Sequence, residues 1–211
     1  MHNGNRGYEI IRDWDTVKIL VEKGEVVSVF GACIVFSPIG DVFMIKEREK
    51  PRWRFPGGGM RLETESICYG VCREVAEEAE HYIDASKLQF VVGFLSDDTN
   101  QRDGAHLRVF FSYELHHGWD YVPDRKLAEL RARGFDKVES WGMFCPHFIE
   151  TKEGRIRVEF GTCTTIPPHQ GNICVSGFHM RALRRLMWKE QGIFDRLHRL
   201  IVPQEGVYAG A

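Results

Sequence analysis

Three glutamates in a short stretch, Glu74, Glu77 and Glu78, are the residues of this sequence best suited to chemistry. On an α-helix, with about 100° between successive residues, their carboxylates lie within an arc of roughly 100°. Like charges at this spacing destabilise a helix by roughly 0.2–0.5 kcal/mol per pair. A hard divalent cation relieves that repulsion, and oxygen ligands favour Mg²⁺ or Mn²⁺. The spacing therefore favours a metal site over a solvated helix face.

The helix that must carry these glutamates is predicted over residues 66–79. Its apolar residues recur at intervals of four: Ile67, Val71, Val75 and Ala79. Thr64 or Ser66 is expected to cap its first turn. Because the acidic arc borders the apolar stripe, we expect the carboxylates at the edge of the core and not far out in solvent.

A glycine-rich segment, Trp53-Arg-Phe-Pro-Gly-Gly-Gly59, lies just upstream of the acidic segment. We interpret it as a loop that no regular element would tolerate. Glycine lets a backbone approach a ligand closely, so this segment can offer N–H groups or carbonyl oxygens. A metal next to it would neutralise phosphate charge and lower the pKa of a bound water. The combination is typical of metal-assisted phosphate chemistry.

The two segments together resemble the Nudix box, Gly-x5-Glu-x7-Arg-Glu-aliphatic-x-Glu-Glu-x-Gly-aliphatic. Gly59, Glu65 and the run from Arg73 to Glu78 match it at the required spacing. Two later positions depart, because Glu80 stands in place of the glycine and His81 in place of the aliphatic residue. Both positions shape the exit from the helix and are not metal ligands. The departure therefore bears on loop geometry more than on chemistry.

The resemblance implies an α/β protein, a Nudix-like α/β/α sandwich with a mixed β-sheet. It also implies Mg²⁺-dependent hydrolysis of the pyrophosphate linkage in a nucleoside diphosphate joined to another moiety. The implied ligands of Mg²⁺, or of Mn²⁺, are Glu74, Glu77, Glu78 and the carbonyl of Gly59. Glu65 and Arg73 would form an ion pair that holds the box in shape. Each of these roles is an expectation carried by the resemblance.

The general base of such a reaction is one of the carboxylates. Glu77 is our first choice, because it lies on the same helix face as the implied metal ligands. In some relatives the base comes from a later loop, and Glu139 stands where such a residue could occur. A carboxylate base is assigned by geometry, so both candidates stay open at this point.

Substrate contacts are expected from the segment before the box. Basic residues occupy every second position there: Lys46, Arg48, Lys50, Arg52 and Arg54. In an unbroken strand they would share one face and could bind phosphates, with Arg48 and Arg54 preferred. The alternative is a solvated edge, because Pro51 would break the strand. We also expect contacts from the backbone of Gly57 and Gly58, and Trp53 could stack on a nucleobase, although packing is the commoner role of such an aromatic residue.

The elements that must position these residues follow from periodicity and turn signals. Strands are predicted at 26–36, 42–48, 89–95, 107–115 and 155–160, a short helix at 124–133, and a basic amphipathic helix at 178–201 that Gly192 interrupts. The first twelve residues are expected to pack loosely. The expected organisation is an N-terminal segment (1–24), a Nudix-like catalytic domain (25–145) and a C-terminal extension (146–211) packed on that domain.

Composition limits the classes of function. With 43% hydrophobic and 27% charged residues among 211, the chain has the composition of a globular protein and not of a disordered one. A net charge of −2 gives no general attraction to nucleic acid, and no apolar run is long enough to cross a bilayer. Six cysteines without a secretion signal indicate reduced thiols and a cytoplasmic protein. We expect a small-molecule nucleotide as the partner, no membrane or nucleic acid, and the homodimer as the common default.

A second hypothesis comes from another functional class. The same fold could bind a nucleotide-linked metabolite without cleaving it, as a sensor or regulator, with its basic C-terminal helix touching a partner. The intact set of Glu74, Glu77 and Glu78 favours the enzyme, since a pure binder has little need to concentrate carboxylates.

Overall fold

Eleven consecutive residues rich in β-branched and aromatic side chains form the central strand of the protein. The computed structural model describes residues 8–38, 40–48, 50, 52–97, 104–115, 129, 132, 138–150, 156–162 and 175–189. Its elements, in chain order, are β1 (Glu9–Ile11), α1 (Trp14–Glu22), β2 (Val26–Phe36), β3 (Val42–Glu47), β4 (Trp53–Arg54), β5 (Gly57–Gly59), α2 (Ile67–Ala79), a 3₁₀ turn (Ala85–Lys87), β6 (Gln89–Asp97), β7 (Ala105–Glu114), β8 (Val138–Glu150), β9 (Ile156–Thr162) and α3 (Gly177–Lys189).

The described strands form one sheet in the order β1-β6-β7-β2-β3-β8-β9. β2 and β7 run parallel, whereas the other neighbouring strands are antiparallel. Two short strands join off this path, because β4 pairs with β3 and β5 pairs with β2. The sheet is therefore mixed, as predicted.

Helices cover both faces of this sheet. Side chains on β2 alternate, so that Cys33 and Val35 pack in the same cluster as α1 and α2. Ile34 and Phe36 pack in the second cluster, which contains the apolar stripe of α3. Because β2 is buried from both sides, its sequence is an almost continuous apolar run. The arrangement is the α/β/α sandwich that the sequence predicts.

Helix α2 begins and ends as its sequence suggests, with one exception. Ser66 is the N-cap, and its hydroxyl accepts a hydrogen bond from the Tyr69 N–H at 3.3 Å. The helix ends at Glu80, which adopts a left-handed conformation with φ of 55°. Glycine is the usual residue at such a position because it has no Cβ to strain the backbone. The chain therefore keeps the left-handed exit although a glutamate occupies it.

The glycine-rich segment contains regular structure, so the prediction of a loop throughout Trp53–Gly59 is wrong. β5 pairs with Phe30–Ala32 of β2, and β4 pairs with β3. A Cβ atom at Gly57 would lie 2.3 Å from the Gly31 carbonyl oxygen and 2.5 Å from the Ala32 Cα. Glycine at this position thus permits a strand to press against β2, where we had expected it to prevent one.

Several elements agree with the sequence predictions and others were missed. The predicted strands at 26–36, 42–48, 89–95, 107–115 and 155–160 correspond to β2, β3, β6, β7 and β9, within a few residues. The expectation of a loosely packed start is wrong for β1, which pairs with β6 and buries Ile11. Helix α1 and strand β8 were not predicted. Pro146 hides the strand pattern of β8 in the sequence, because proline is unusual inside a sheet. The sheet accommodates it because Pro146 lies beyond the residues of β8 that pair with β3 and is paired with β9 alone among the described strands.

The predicted domain limit at residue 145 falls inside β8, and α1 and α3 both contribute to the cores described above. The predicted helix at 124–133 lies outside the described residues except for Glu129 and Ala132, which are helical. The part of the predicted C-terminal helix after Lys189, including Gly192, also lies outside them. Among the described helices, none combines the length and the apolar character needed to cross a bilayer.

Candidate active site

A pocket of about 730 Å³ opens where β5, α2 and the first turn of α3 meet. One side, here called the box wall, is polar and consists of Glu47, Arg54, Gly57, Gly58, Gly59, Glu74 and Glu78. The other side, the α3 wall, consists of Phe30, Ser176 and His179, while Val138 lines the pocket beside Glu47, its partner in the β3–β8 pairing. Two cations, Lys50 and Arg52, form a basic rim at the pocket. The pocket therefore joins a charged surface to an uncharged one.

One guanidinium organises the α2 side of the box wall. Arg73 donates from Nε to Glu65 Oε2 at 3.0 Å and from Nη2 to Glu65 Oε1 at 2.8 Å. Its Nη1 donates to Glu74 Oε1 at 2.7 Å and to Glu77 Oε2 at 3.0 Å. Its Nη2 also reaches the Gly59 carbonyl oxygen at 3.2 Å. Oxygen atoms of Glu74, Glu77 and Gly59 thus converge within the reach of a single side chain.

A second guanidinium fixes Glu78. Arg54 forms ion pairs with Glu78 Oε1 and with Glu47, and all three side chains are largely buried. Glu78 Oε2 accepts a hydrogen bond from the Gly57 N–H at 2.8 Å. Arg54 Nη1 donates to the Gly57 carbonyl oxygen at 2.7 Å. The carboxylate of Glu78 is therefore held by a buried charge and by the backbone of β5.

The glycines of β5 let α2 approach this closely. A Cβ atom at Gly58 would lie 2.4 to 2.6 Å from the carboxylate atoms of Glu74. A Cβ atom at Gly59 would meet nothing within 4 Å. Gly58, unlike Gly59, therefore has a steric role, which is to leave room for the Glu74 carboxylate against the strand.

Burial acts on the charges of this wall. It raises the pKa of Glu77 and of Glu78 above the usual glutamate value, although Arg73 and Arg54 respectively oppose the change. Burial also acts to raise the pKa of Glu47, but Lys50 and Arg54 outweigh it, and the pKa falls below its usual value. The arginines beside Glu77 and Glu78 thus do not fully offset the cost of burying the two carboxylate charges.

The donor set suits a hard divalent cation. Carboxylate and carbonyl oxygens are the ligands that Mg²⁺ and Mn²⁺ prefer, and the buried, incompletely compensated carboxylates favour additional positive charge. In the part of the chain that the structure describes, no three His, Cys, Asp or Glu side chains have their donor atoms gathered as metal ligands. Nη1 of Arg73 donates to the oxygen atoms of Glu74 and Glu77 that would serve as ligands, so the donor types fit the cation, and a bound cation would replace these two contacts.

Comparison with known proteins rests on structure, because neither a family model nor a curated protein sequence matches this chain. A MutT/nudix family protein from Enterococcus faecalis superposes with a TM-score of 0.51 at 12% identity, over 90% of this chain and 75% of that chain. The chain has the Nudix fold. A NUDIX hydrolase from Nitrosomonas europaea matches with a TM-score of 0.40 at 20% identity, over 55% of this chain and 70% of that chain. A UDP-X diphosphatase matches with a TM-score of 0.44 at 8% identity, over 83% and 70%.

Within this Nudix fold, the residues that resemble the Nudix box occupy the box wall and the contacts behind it. Glu74 and Glu78 line the pocket, together with the backbone of β5. Glu65 and Arg73 form the ion pair that the resemblance implies. Glu77 lies beneath Arg73 and is almost inaccessible to solvent, so the first choice for the general base does not line the pocket.

Three sequence candidates lie away from the pocket. Arg48 is exposed at the end of β3 and is not among the pocket residues. Trp53 is 8% exposed and packs edge-on against Phe144, with 4.7 Å between ring centroids. Glu139 lies on β8 rather than on a loop, and it pairs with Lys46 at 3.6 Å. The structure thus brings Arg54, Gly57 and Gly58 to the pocket but none of these three.

Sequence reasoning missed the α3 wall altogether. His179 and Ser176 follow Phe30 by about 150 residues in the sequence, and no spacing rule connects them. Glu47 was also missed, although it lies within the alternating basic segment. An acidic residue between cations there could have indicated an ion pair. Lys50 and Arg52 were recognised as cations, and the structure places both of them on the rim.

Proposed function

We propose that this chain is a Mg²⁺-dependent pyrophosphohydrolase that cleaves the diphosphate linkage of a nucleoside diphosphate joined to another moiety. The observation that carries the proposal is the convergence of oxygen atoms from Glu74, Glu77 and Gly59 on one side chain beside a pocket with a basic rim. A structural ion pair would need one carboxylate opposite Arg73, whereas this site concentrates three.

The chain's own residues supply binding and orientation in this proposal. Lys50 and Arg52 on the rim are placed to bind the anionic diphosphate, because guanidinium and ammonium groups are the usual donors to phosphate oxygens. Glu74, Glu77, Glu78 and the Gly59 carbonyl would hold the divalent cation. When bound, that cation neutralises phosphate charge and lowers the pKa of a water molecule. Arg54 and the Gly57 N–H keep Glu78 oriented, and Glu65 pairs with Arg73 next to Glu74 and Glu77.

The general base in this proposal is a carboxylate that reaches the pocket. Glu74 and Glu78 line the pocket, while Glu77 is covered by Arg73. Glu78 uses both oxygens in bonds to Arg54 and Gly57, whereas only Oε1 of Glu74 takes part in the ion pair with Arg73. Geometry thus favours Glu74 as the base, and the Gln variants of the three glutamates separate the candidates.

A panel of nucleoside diphosphate sugars, dinucleoside polyphosphates and ADP-ribose, each with Mg²⁺, tests the function through release of nucleoside monophosphate. We expect turnover of at least one compound, its loss on chelation, and a decrease of about 10²- to 10⁴-fold in Glu74→Gln. Glu63→Gln is the matched control, because Glu63 is an exposed acid in the same segment that does not line the pocket. Turnover that survives Glu74→Gln unchanged would contradict the proposal.

The sensor remains a second candidate because of one observation. Arg73 and Arg54 already contact all three glutamates, so a protein that never binds a cation could also keep this arrangement. Saturable binding of a compound from the same panel, without release of any product in the presence of Mg²⁺ or Mn²⁺, would favour the sensor over the enzyme.

A further inference from the structure

His179 enters the pocket from the first turn of α3 and is only 5% exposed. The backbone N–H of Phe55 donates a hydrogen bond to its Nδ1 at 3.1 Å. An Nδ1 atom that accepts a hydrogen bond keeps its lone pair, so the proton of the neutral imidazole sits on Nε2. The contact with Phe55 therefore makes Nε2 a hydrogen-bond donor.

The ring of His179 is held firmly by aromatic neighbours. Phe110, Phe55 and Phe30 lie with their ring centroids 5.1, 5.5 and 6.1 Å from the imidazole. Among the described residues, Arg54 Nε is the only fully buried side-chain nitrogen or oxygen atom that has no hydrogen-bond partner. The described residues offer no acceptor to Nε2 of His179 either, so this atom retains contact with solvent, and His179 lines the pocket.

The imidazole is neutral at physiological pH. Burial, with smaller contributions from the positive charges of Arg54 and Arg108, lowers the pKa of His179 to about 3. A neutral donor adds no charge to attract phosphate. The cations that line the pocket are Lys50 and Arg52 on the rim and the buried Arg54; Lys50 pairs with Glu47, and Arg54 pairs with Glu47 and Glu78.

We propose that His179 and Phe30 form a base-recognition subsite, in which Nε2–H of His179 donates to a carbonyl oxygen or unprotonated ring nitrogen of a nucleobase. Phe30 offers the apolar surface against which a planar ring packs. Ser176, the residue immediately before α3, also lines the pocket. The inference rests on the proposed function for its ligand class, because it assigns the nucleoside part of the same substrate.

Histidine ¹⁵N resonances provide a test that does not depend on turnover. In the wild-type chain, we expect His179 to show an unprotonated Nδ1 and a protonated Nε2 at pH 7. AMP, GMP, CMP and UMP are titrated separately, with ribose 5-phosphate and inorganic pyrophosphate as probes without a base. Saturable shifts of the Nε2 signal with at least one nucleotide, and none with the two base-free probes, support the subsite. Equal shifts with pyrophosphate, or none with any nucleotide, overturn it.

Two variants separate the pocket contact from the structural one. Asn places its side-chain oxygen near the position of Nδ1, so His179→Asn retains an acceptor for Phe55 and loses the donor at the pocket. Gln extends its amide toward the position of Nε2, so His179→Gln retains a pocket donor and loses the acceptor. We expect the affinity for the preferred nucleotide to fall about tenfold in His179→Asn and much less in His179→Gln. Arg185→Gln, on the exposed face of α3, serves as the control.

The opposite ranking, with Gln weaker than Asn, would show that His179 acts only by supporting Phe55, and it would overturn the subsite. Pyrophosphate affinity is expected to stay the same in both variants, which distinguishes a lost base contact from a damaged pocket. The inference and the proposed function fail separately. Nucleotide-dependent shifts of the His179 signal without hydrolysis would support the subsite and contradict the proposed enzyme activity. Hydrolysis together with a nucleotide affinity that neither variant changes would support the enzyme activity and contradict the subsite.

Discussion

The two walls of the pocket are built in opposite ways. The box wall is charged, and its side chains come from one stretch, Glu47 to Glu78, that the chain folds back on itself. Its carboxylates are fixed by Arg54 and Arg73. The α3 wall is uncharged, and its residues come from positions as distant as Phe30 and His179. The comparison shows that the carboxylate cluster is encoded locally, while the α3 wall depends on how distant elements pack.

The strongest test of the box wall removes its buried cation. In Arg54→Met, the carboxylates of Glu47 and Glu78 lose their shared partner but stay largely buried. Breaking a buried pair in this way costs about 3–5 kcal/mol, so we expect a decrease of that size in the free energy of unfolding, measured with urea. Arg12→Met, at an exposed position, should change it by less than about 0.5 kcal/mol. A fully stable Arg54→Met would show that buried ion pairs do not hold this wall.

Two neighbouring glycines of β5 test whether the position of Glu74 matters. A methyl group at Gly58 would overlap the Glu74 carboxylate, so Gly58→Ala must displace it. Because displacing a catalytic group by about 1 Å can cost on the order of 10²-fold, we expect kcat/KM to fall between about tenfold and a hundredfold. Gly59→Ala is the matched variant, since its methyl group meets no neighbour. Equal effects of the two substitutions would mean that close packing on Glu74 is unimportant.

On the α3 wall, a single histidine predicts a dependence of stability on pH. The folded pKa of His179 is about 3 and the unfolded value about 6.5, so the unfolded chain binds the proton first as the pH falls. This residue should therefore contribute full stability above pH 6.5 and lose about 2 kcal/mol of it by pH 5. Unfolding free energies of wild type and His179→Asn, compared at both pH values, isolate the effect from the other histidines. A difference that stays constant with pH would contradict the buried, neutral imidazole.

The smallest effect concerns the exit from α2, where the sequence departs from the Nudix box. Glu80 has a left-handed backbone, which costs a residue with a Cβ atom roughly 1 kcal/mol relative to glycine. We expect Glu80→Gly to be more stable than Glu80→Ala by about that amount in chemical denaturation. The comparison with Ala removes the side-chain contacts of Glu80 in both variants. If Ala were equal to Gly, the backbone at residue 80 would not be strained.

The box wall could be predicted from sequence because its signals are short-range. The placement of Glu74, Glu77 and Glu78 on one helix face follows from helix geometry, and the pairing of Glu65 with Arg73 was implied by the resemblance to the Nudix box. The same reasoning failed at β5, because local propensity treats three glycines as a loop. Only the close approach of β2 and of Glu74 explains why glycine is needed in a strand there.

The α3 wall could not be predicted, for a physical reason. His179 has no ligand spacing and no charged neighbour in sequence; its role arises from burial against Phe55 and from the opening of the pocket. The alternating cations were a partial signal, since Arg54 and Arg52 reach the pocket while Arg48 does not. β3 ends at Glu47, before Arg48 and the later cations. Strand periodicity cannot predict where residues lie once the strand has ended.

Manganese binding, followed by electron paramagnetic resonance, tests the cation site itself, because the signal reports cation occupancy for any substrate. With nucleotide present, we predict saturable Mn²⁺ binding to the wild-type chain, competition by Mg²⁺, and an affinity at least about tenfold weaker in Glu74→Gln, the loss expected for one charged ligand. Binding that is absent at saturating nucleotide, or that Glu74→Gln leaves unchanged, would contradict a cation site on the box wall.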